Sequence, residues 1–146
     1  MQKISIISGG TSGLGLEIAD LLIKSGKNVL ILGRNCEKLA AASSRLKRAS
    51  NNSLVELLIC NIGNEEEVIK VGEFLIRNSH SVEYLFNNAG IGLFTKAHTS
   101  TSVIIDRVFE ANLKGMILLT SEILRLTPDK EELTICLLYT SPSPRD

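Results

Sequence analysis

Apolar residues along the chain fall into two alternating kinds of segment. The short kind comprises Ile4–Ser8, Val29–Leu32, Leu54–Cys60, Val82–Phe86 and Leu133–Ile135, each compact and rich in branched side chains. Runs of that length suit strands covered on both faces, as in a parallel sheet. The long kind carries helical spacing. Leu14, Ile18, Leu21 and Leu22 recur at i, i+4, i+7 and i+8 and predict one apolar stripe, with Gly26 behind it as a stop. Asn35 stands where a second helix needs a cap, Leu39, Ala42 and Leu46 mark its inner face, and Asn51 and Asn52 end it. Asn64 and Glu67 have the form of a capping box. The helix behind them carries Val68, Val71 and Leu75, and its three early glutamates suit the positive end of its dipole. A long helical stretch from about Ser102 to Leu126 closes the series before Pro128. Phe74, Phe86 and Phe109 are assigned to the core, and His80 and His98 to surface or loop. The alternation predicts right-handed βαβ units in one doubly wound α/β domain with a parallel sheet.

Composition narrows the partners. The chain has 146 residues with 16 Lys+Arg against 16 Asp+Glu, and without a basic surplus a nucleic-acid partner is not expected. No apolar run approaches the roughly 18 residues of a membrane helix. The four positions Ile4 to Ile7 are too few for a secretory signal, so a cytoplasmic protein is expected. Cys36, Cys60 and Cys136 have no C-x-x-C spacing, which suggests neither a disulfide framework nor a zinc site. Cys60 reads as a small buried hydrophobe rather than a reactive thiol, and Glu65 to Glu67 as a solvated helical turn rather than a metal site.

The end of the chain is different. From Cys136 to Asp146 it holds two of the three prolines and neither a helical nor a strand period. This run resembles the translation of a common transposase sequencing adapter. Residues 136–146 are therefore read as a non-native tail, and residues 1–135 as a partial domain whose sheet is truncated in or near its fifth strand. Removing the tail takes one Arg and one Asp and leaves the charge balanced.

The first strand runs into Ser8-Gly9-Gly10-Thr11-Ser12-Gly13-Leu14-Gly15, where a helix begins. Glycines at a strand-to-helix turn let backbone N–H groups approach a pyrophosphate, and the helix N-terminus adds a favourable dipole. A glycine cluster alone also serves ordinary tight turns; the strand before it and the helix after it point to the phosphate role. The spacing Gly-x-x-x-Gly-x-Gly resembles that of the short-chain dehydrogenase/reductase family, with Ser8 in place of the usual Thr. Asn87-Asn88-Ala89-Gly90 is similar to the family's Asn-Asn-Ala-Gly motif after the fourth strand. Asn112, Leu113 and Gly115 are similar to its Asn-Leu-x-Gly motif. The resemblance covers residues 1–135, about the N-terminal half of such an enzyme, and implies a Rossmann-like fold.

The resemblance implies cofactor contacts at Gly9, Thr11, Ser12, Gly13, Leu14 and Gly15, at Asn88, Ala89 and Gly90, and at Asn61 and Ile62. In the family an Asp usually stands at the position of Asn61 and accepts a hydrogen bond from the adenine amino group; an amide carbonyl can accept the same bond. Gly33 and Arg34 follow the second strand, where an acid would bind the ribose hydroxyl of NAD and an Arg the 2′-phosphate of NADP. A guanidinium grips phosphate through two charge-assisted bonds, so NADP is expected over NAD. Ser12 stands where many NADP users of the family carry a second basic residue.

The family's reaction interconverts a carbonyl and an alcohol by hydride transfer, with a Tyr as acid/base, a Lys four residues later, a Ser and an Asn. Of these only Asn112 maps here. Tyr84 is followed four positions later by Asn88, and Tyr139 by Ser143. The expectation is an NADP-preferring oxidoreductase acting on a small carbonyl or alcohol, represented by a fragment without its Tyr and Lys. The alternative is a non-catalytic NADP(H)-binding sensor or binding module. The resemblance also implies homodimers or homotetramers, partly through the helix around Asn112.

Overall fold

The computed structural model describes residues 1–50, 52–92, 97–128 and 132–138. Five strands, β1 (Gln2–Ser8), β2 (Val29–Gly33), β3 (Val55–Ile59), β4 (His80–Asn87) and β5 (Thr134–Leu137), form one sheet in the order β3-β2-β1-β4-β5. Every neighbouring pair is parallel. Helices α1 (Gly13–Lys24) and α2 (Cys36–Ala49) cover one face. Helices α3 (Glu65–Arg77) and α5 (Gly115–Leu126) cover the other, with α4 (Ser102–Phe109) leading into α5. This is the doubly wound, Rossmann-like α/β architecture. The strand order reverses between β1 and β4, and there the connections leave in opposite directions and open a crevice at the strands' carboxyl ends.

The central strands are apolar throughout because both their faces are covered. Ile4 and Ile6 of β1 and Leu30 and Leu32 of β2 join Val68, Val71 and Leu75 of α3 and Leu119 and Ile123 of α5. Ile7, Val29 and Ile31 point the other way, into Ala19, Ile23, Leu39, Ala42 and Leu46. The α1 stop follows the expected chemistry. Gly26 has φ +78°, its N–H donates to Ile23 O, and Lys27 N–H donates to Leu22 O, which closes a Schellman motif.

Several expectations are corrected. The α1 stripe is rotated: Leu14 and Leu21 are 56% and 64% exposed, while Gly15, Ala19 and Ile23 are buried. Ile18 and Leu22 do pack on the core. Apolar residues fill so many positions of this helix that periodicity does not fix its face; small residues at 15 and 19 let it lie close to the sheet. The box at α3 is half formed. Asn64 Oδ1 accepts from Glu67 N–H at 3.2 Å, but Glu67 Oε2 accepts from Asn61 N–H at 2.6 Å instead of returning to Asn64. Phe109 is 58% exposed and Leu113 and Ile117 are about half exposed, while Leu119 and Ile123 are the buried apolar residues of this helical stretch. His80 is buried, with Nε2 and Glu56 Oε2 sharing a hydrogen bond of 2.9 Å. Its partner sits on another strand, 24 residues earlier, which is why neighbouring sequence gave no sign of it.

The stretch 102–126 is one continuous helical rod with a π-helical segment, Glu110–Lys114, between α4 and α5. Such wide turns insert an extra residue and are frequent at functional sites; Asn112 lies inside this one. At the chain's other landmark, β5 reaches Leu137, with Cys136 and Leu137 in register with Phe86 and Asn87 of β4. The run from Cys136 thus begins inside a strand, and residues 139–146 lie outside the described residues.

The α1 face gives a direct check. Ile23→Ala should cost about 2–5 kcal/mol by emptying a packed site. Leu21→Ala, on solvent, should stay within about 0.5 kcal/mol. Equilibrium urea unfolding of the two variants measures both, and equal losses would contradict the assigned face.

Candidate functional site

The crevice begins where β1 ends. Gly9 has φ +67°, a left-handed conformation, and a Cβ there would lie 2.9 Å from the Ala89 Cα. A side chain is excluded on both counts. A Cβ on Gly15 would collide with the Asn88 amide. The glycines therefore let the loop between β1 and α1 press against the turn after β4.

What holds that contact is a reciprocal set of hydrogen bonds. Ser8 Oγ accepts from Asn88 N–H at 3.1 Å and from Ala89 N–H at 3.0 Å, and it donates to Phe86 O at 3.3 Å. Asn88 Nδ2 returns two bonds, to Ser8 O and Gly9 O, each 3.1 Å. The hydroxyl shared by Ser and Thr at this position thus has a function that a methyl group lacks. Asn87 lies buried beside it and donates to Thr120 Oγ1 at 3.0 Å.

Helix α1 is left open at its N-terminus. Its cap residue Ser12 makes no side-chain bond, and its first turn holds no acid. By contrast, α2 is capped by Asn35 and carries Glu37 in its first turn, and α3 is capped by Asn64 and carries three glutamates there. Leu16 N–H makes the turn-closing bond to Ser12 O, so the amides at 13 to 15 belong to the unsatisfied first turn. Backbone donors and an uncompensated dipole at one helix end favour an anion.

A cleft of about 410 Å³ spans this region. Gly9, Thr11 and Ser12 line it from the first loop, and Gly33, Arg34, Asn35 and Lys38 from the end of β2 and the start of α2. Cys60, Asn61 and Ile62 line it after β3, and Asn88, Ala89, Gly90 and Ile91 after β4. Gly33 lets the loop close in, since a Cβ there would meet the Thr11 methyl at 2.8 Å. Of the residues singled out in the sequence, Gly13, Leu14 and Gly15 do not line the cleft. They open α1 behind the loop, with Leu14 turned to solvent.

Asn112 does not line it either. Its Oδ1 accepts from Ile91 N–H at 2.7 Å and its Nδ2 donates to Ile91 O at 2.9 Å. The side chain therefore holds the main chain beyond Asn88-Ala89-Gly90 in place. Lys38, Ile91 and Ala111 line the cleft and were not singled out. For Lys38 a signal was present: it follows Arg34 by four residues, one helical turn. Asn61 Oδ1 accepts from Gly63 N–H at 3.2 Å. Burial, with the Glu67 charge adding to it, pushes the Cys60 thiol up to about 12, so it stays a neutral, inert packing group. Among the described residues no three His, Cys, Asp or Glu side chains gather as a metal site.

Residues 3–135 match the model of the short chain dehydrogenase family. The chain belongs to that family. Among curated relatives, the 3-oxoacyl-(acyl-carrier-protein) reductase of Rickettsia prowazekii is 37% identical over 123 residues, covering 84% of this chain and 47% of that protein. The polyprenol dehydrogenase of Homo sapiens is 28% identical over 123 residues, covering 84% and 37%. A metagenomic short-chain oxidoreductase solved with NADP superposes with a TM-score of 0.84 at 24% identity, covering 92% of this chain and 61% of that one. An actinorhodin polyketide ketoreductase solved with NADPH superposes with 0.80 at 26% identity, covering 86% and 47%. The chain spans about half the length of the curated relatives it matches. Within this short-chain dehydrogenase chain, no helix among the described residues is long and apolar enough to cross a membrane.

The Ser8 bonds can be tested by deletion. Ser8→Ala strands two amide donors at a partly buried site and should cost roughly 1–3 kcal/mol. Ser8→Thr keeps the hydroxyl and should lose less than half of that. Urea unfolding of both variants reads the difference; equal losses would show that packing, not the hydroxyl, matters at this position.

Proposed function

We propose that the cleft binds NADP(H) and that this chain is the cofactor-binding part of an oxidoreductase that interconverts a carbonyl and an alcohol. The observation that carries the reading is the pair Arg34 and Lys38, set beside Gly33 on one wall of the cleft. No acid lines that wall to meet a free ribose 2′-hydroxyl, while two cations suit a 2′-phosphate. Lys38 supplies from α2 the second positive charge that Ser12 lacks. The glycine cradle fits a pyrophosphate: at Gly9 and Gly15 the backbone has no room for a side chain, and the amides of the first turn of α1 stand open. The bound cofactor would supply or accept the hydride.

The residues then have distinct tasks. Gly9, Thr11, Ser12, Gly13, Leu14 and Gly15 hold the diphosphate, chiefly through main-chain donors. Arg34 and Lys38 hold the 2′-phosphate. Asn61 and Ile62 meet the base, and Asn88, Ala89 and Gly90 form the wall towards the reacting end. Asn112 is a positioning residue, acting through Ile91. Negative charge on a carbonyl oxygen needs an acid beside it, and this chain offers no Tyr followed four positions later by Lys. The chain itself should bind without turning over. In the longer protein, the exposed apolar row of Phe109, Leu113 and Ile117 is covered by a second copy of the chain.

Fluorescence titration with NADPH and NADH tests the cofactor reading. A charge-assisted phosphate contact is worth about 1.5–3 kcal/mol, so NADPH should bind roughly tenfold to hundredfold tighter, and Arg34→Ala should remove most of that preference. Equal affinities, or an unchanged preference in the variant, would overturn it. NADPH oxidation by this chain with ketones, aldehydes and quinones should be undetectable; measurable turnover would contradict the requirement for the Tyr and Lys.

A further inference from the structure

We propose that Glu110 selects the nucleobase, its carboxylate accepting a hydrogen bond from the exocyclic amine of a purine. The inference rests on the cofactor reading of the cleft and extends it to a residue with no assigned role.

The direction in which a nucleotide must lie follows from strand order. Phosphate belongs at the loop after β1 and the ribose at the end of β2. Continuing outward across the sheet, the base reaches the turn after β3, where Asn61 and Ile62 stand. A space of about 320 Å³ opens there, sharing Arg34, Asn61, Ile91 and Ala111 with the main cleft and adding Arg107 and Glu110.

Two glycine contacts press the β3 turn against the π-helical segment and make these residues one wall. A Cβ on Gly63 would lie 2.8 Å from Glu110 Cγ, and one on Gly115 would lie 2.6 Å from Ile62 Cγ1. Asn61 lines this space; its Oδ1 accepts from the Gly63 N–H, and its Nδ2 is the donor it can offer a base. Glu110 is the carboxylate among the residues lining this space. Its pairing with Lys114 is loose, at 3.9 Å with both side chains more than half exposed, so its oxygens are free to accept. An acceptor beside a donor complements the edge of adenine, which presents an amine next to a ring nitrogen acceptor. Hypoxanthine, with a carbonyl oxygen in place of the amine, would set that oxygen against the carboxylate. Arg34 and Arg107 line the same space and offset the added negative charge.

The test uses the whole 146-residue chain with adenosine 2′,5′-bisphosphate and inosine 2′,5′-bisphosphate, titrated by calorimetry. On the edge that carries N7, the acceptor beside the amine, the two probes differ only at the 6-substituent that Glu110 is proposed to read. The adenine compound should bind roughly tenfold tighter. Glu110→Met should bring the ratio near one while both compounds still bind. Glu110→Gln, whose amide can either accept or donate, should narrow the ratio while keeping the contact with Gly63. An unchanged ratio in both variants would overturn the role of Glu110. Equal binding of the two compounds by the parent would overturn base selection and leave the phosphate reading standing. If neither compound binds the parent, the cofactor reading itself is overturned, and this inference with it.

Discussion

One hydroxyl and one carboxamide join the end of β1 to the end of β4. Ser8 takes the main-chain donors of Asn88 and Ala89, and Asn88 takes the main-chain acceptors of Ser8 and Gly9. These two strands flank the point where the sheet reverses its winding, so their ends would otherwise diverge. The bonds close that gap from beneath and fix the floor of the cleft. The glycines follow as a consequence: a loop drawn this close to a neighbouring turn has no room for a Cβ at Gly9 or Gly15. Buried amides left without partners are costly, and this ties the fold's stability to the shape of the site.

A second constraint acts on the helix ends. All three helices that follow β1, β2 and β3 start at the same edge of the sheet, and two of them neutralise their own dipoles with an asparagine cap and acids. Only α1 leaves its first turn open. Around that opening lie Arg34 and Lys38 in a chain with no net charge. The positive potential is therefore local and built by placement rather than composition, which the overall charge balance conceals.

The fold was legible because period and punctuation agreed. Buried strands read as apolar runs, Asn35 and Asn64 marked helix starts, and Gly26 marked a stop through a left-handed conformation that favours glycine. What period alone misjudged was orientation. In α1 and in the 102–126 rod, apolar residues surround the helix, so the inner face depends on where small residues permit contact and on the extra residue of the π-helical turn. Leu14, Leu21 and Phe109 were misplaced for that reason. His80 was misplaced because its partner, Glu56, is non-local. In the site, glycine spacing exposed the loop, and the two asparagines at 88 and 112 stood out from their motifs. Ile91 and Glu110 did not, because they share a space only through the crossing of separate elements, and Lys38 was missed although it follows Arg34 by one helical turn.

The central claim is that a loop, a cation pair and two turns form a single nucleotide cleft on this chain. Backbone amide chemical shifts, followed by NMR while adenosine 2′,5′-bisphosphate is added, test it most directly. The account predicts perturbations confined to five separate segments: residues 9–16, 33–38, 61–63, 88–91 and 107–111. Shifts scattered over the lysines and arginines of the outer helix faces, with the loop amides of Gly9 to Gly15 unmoved, would contradict it.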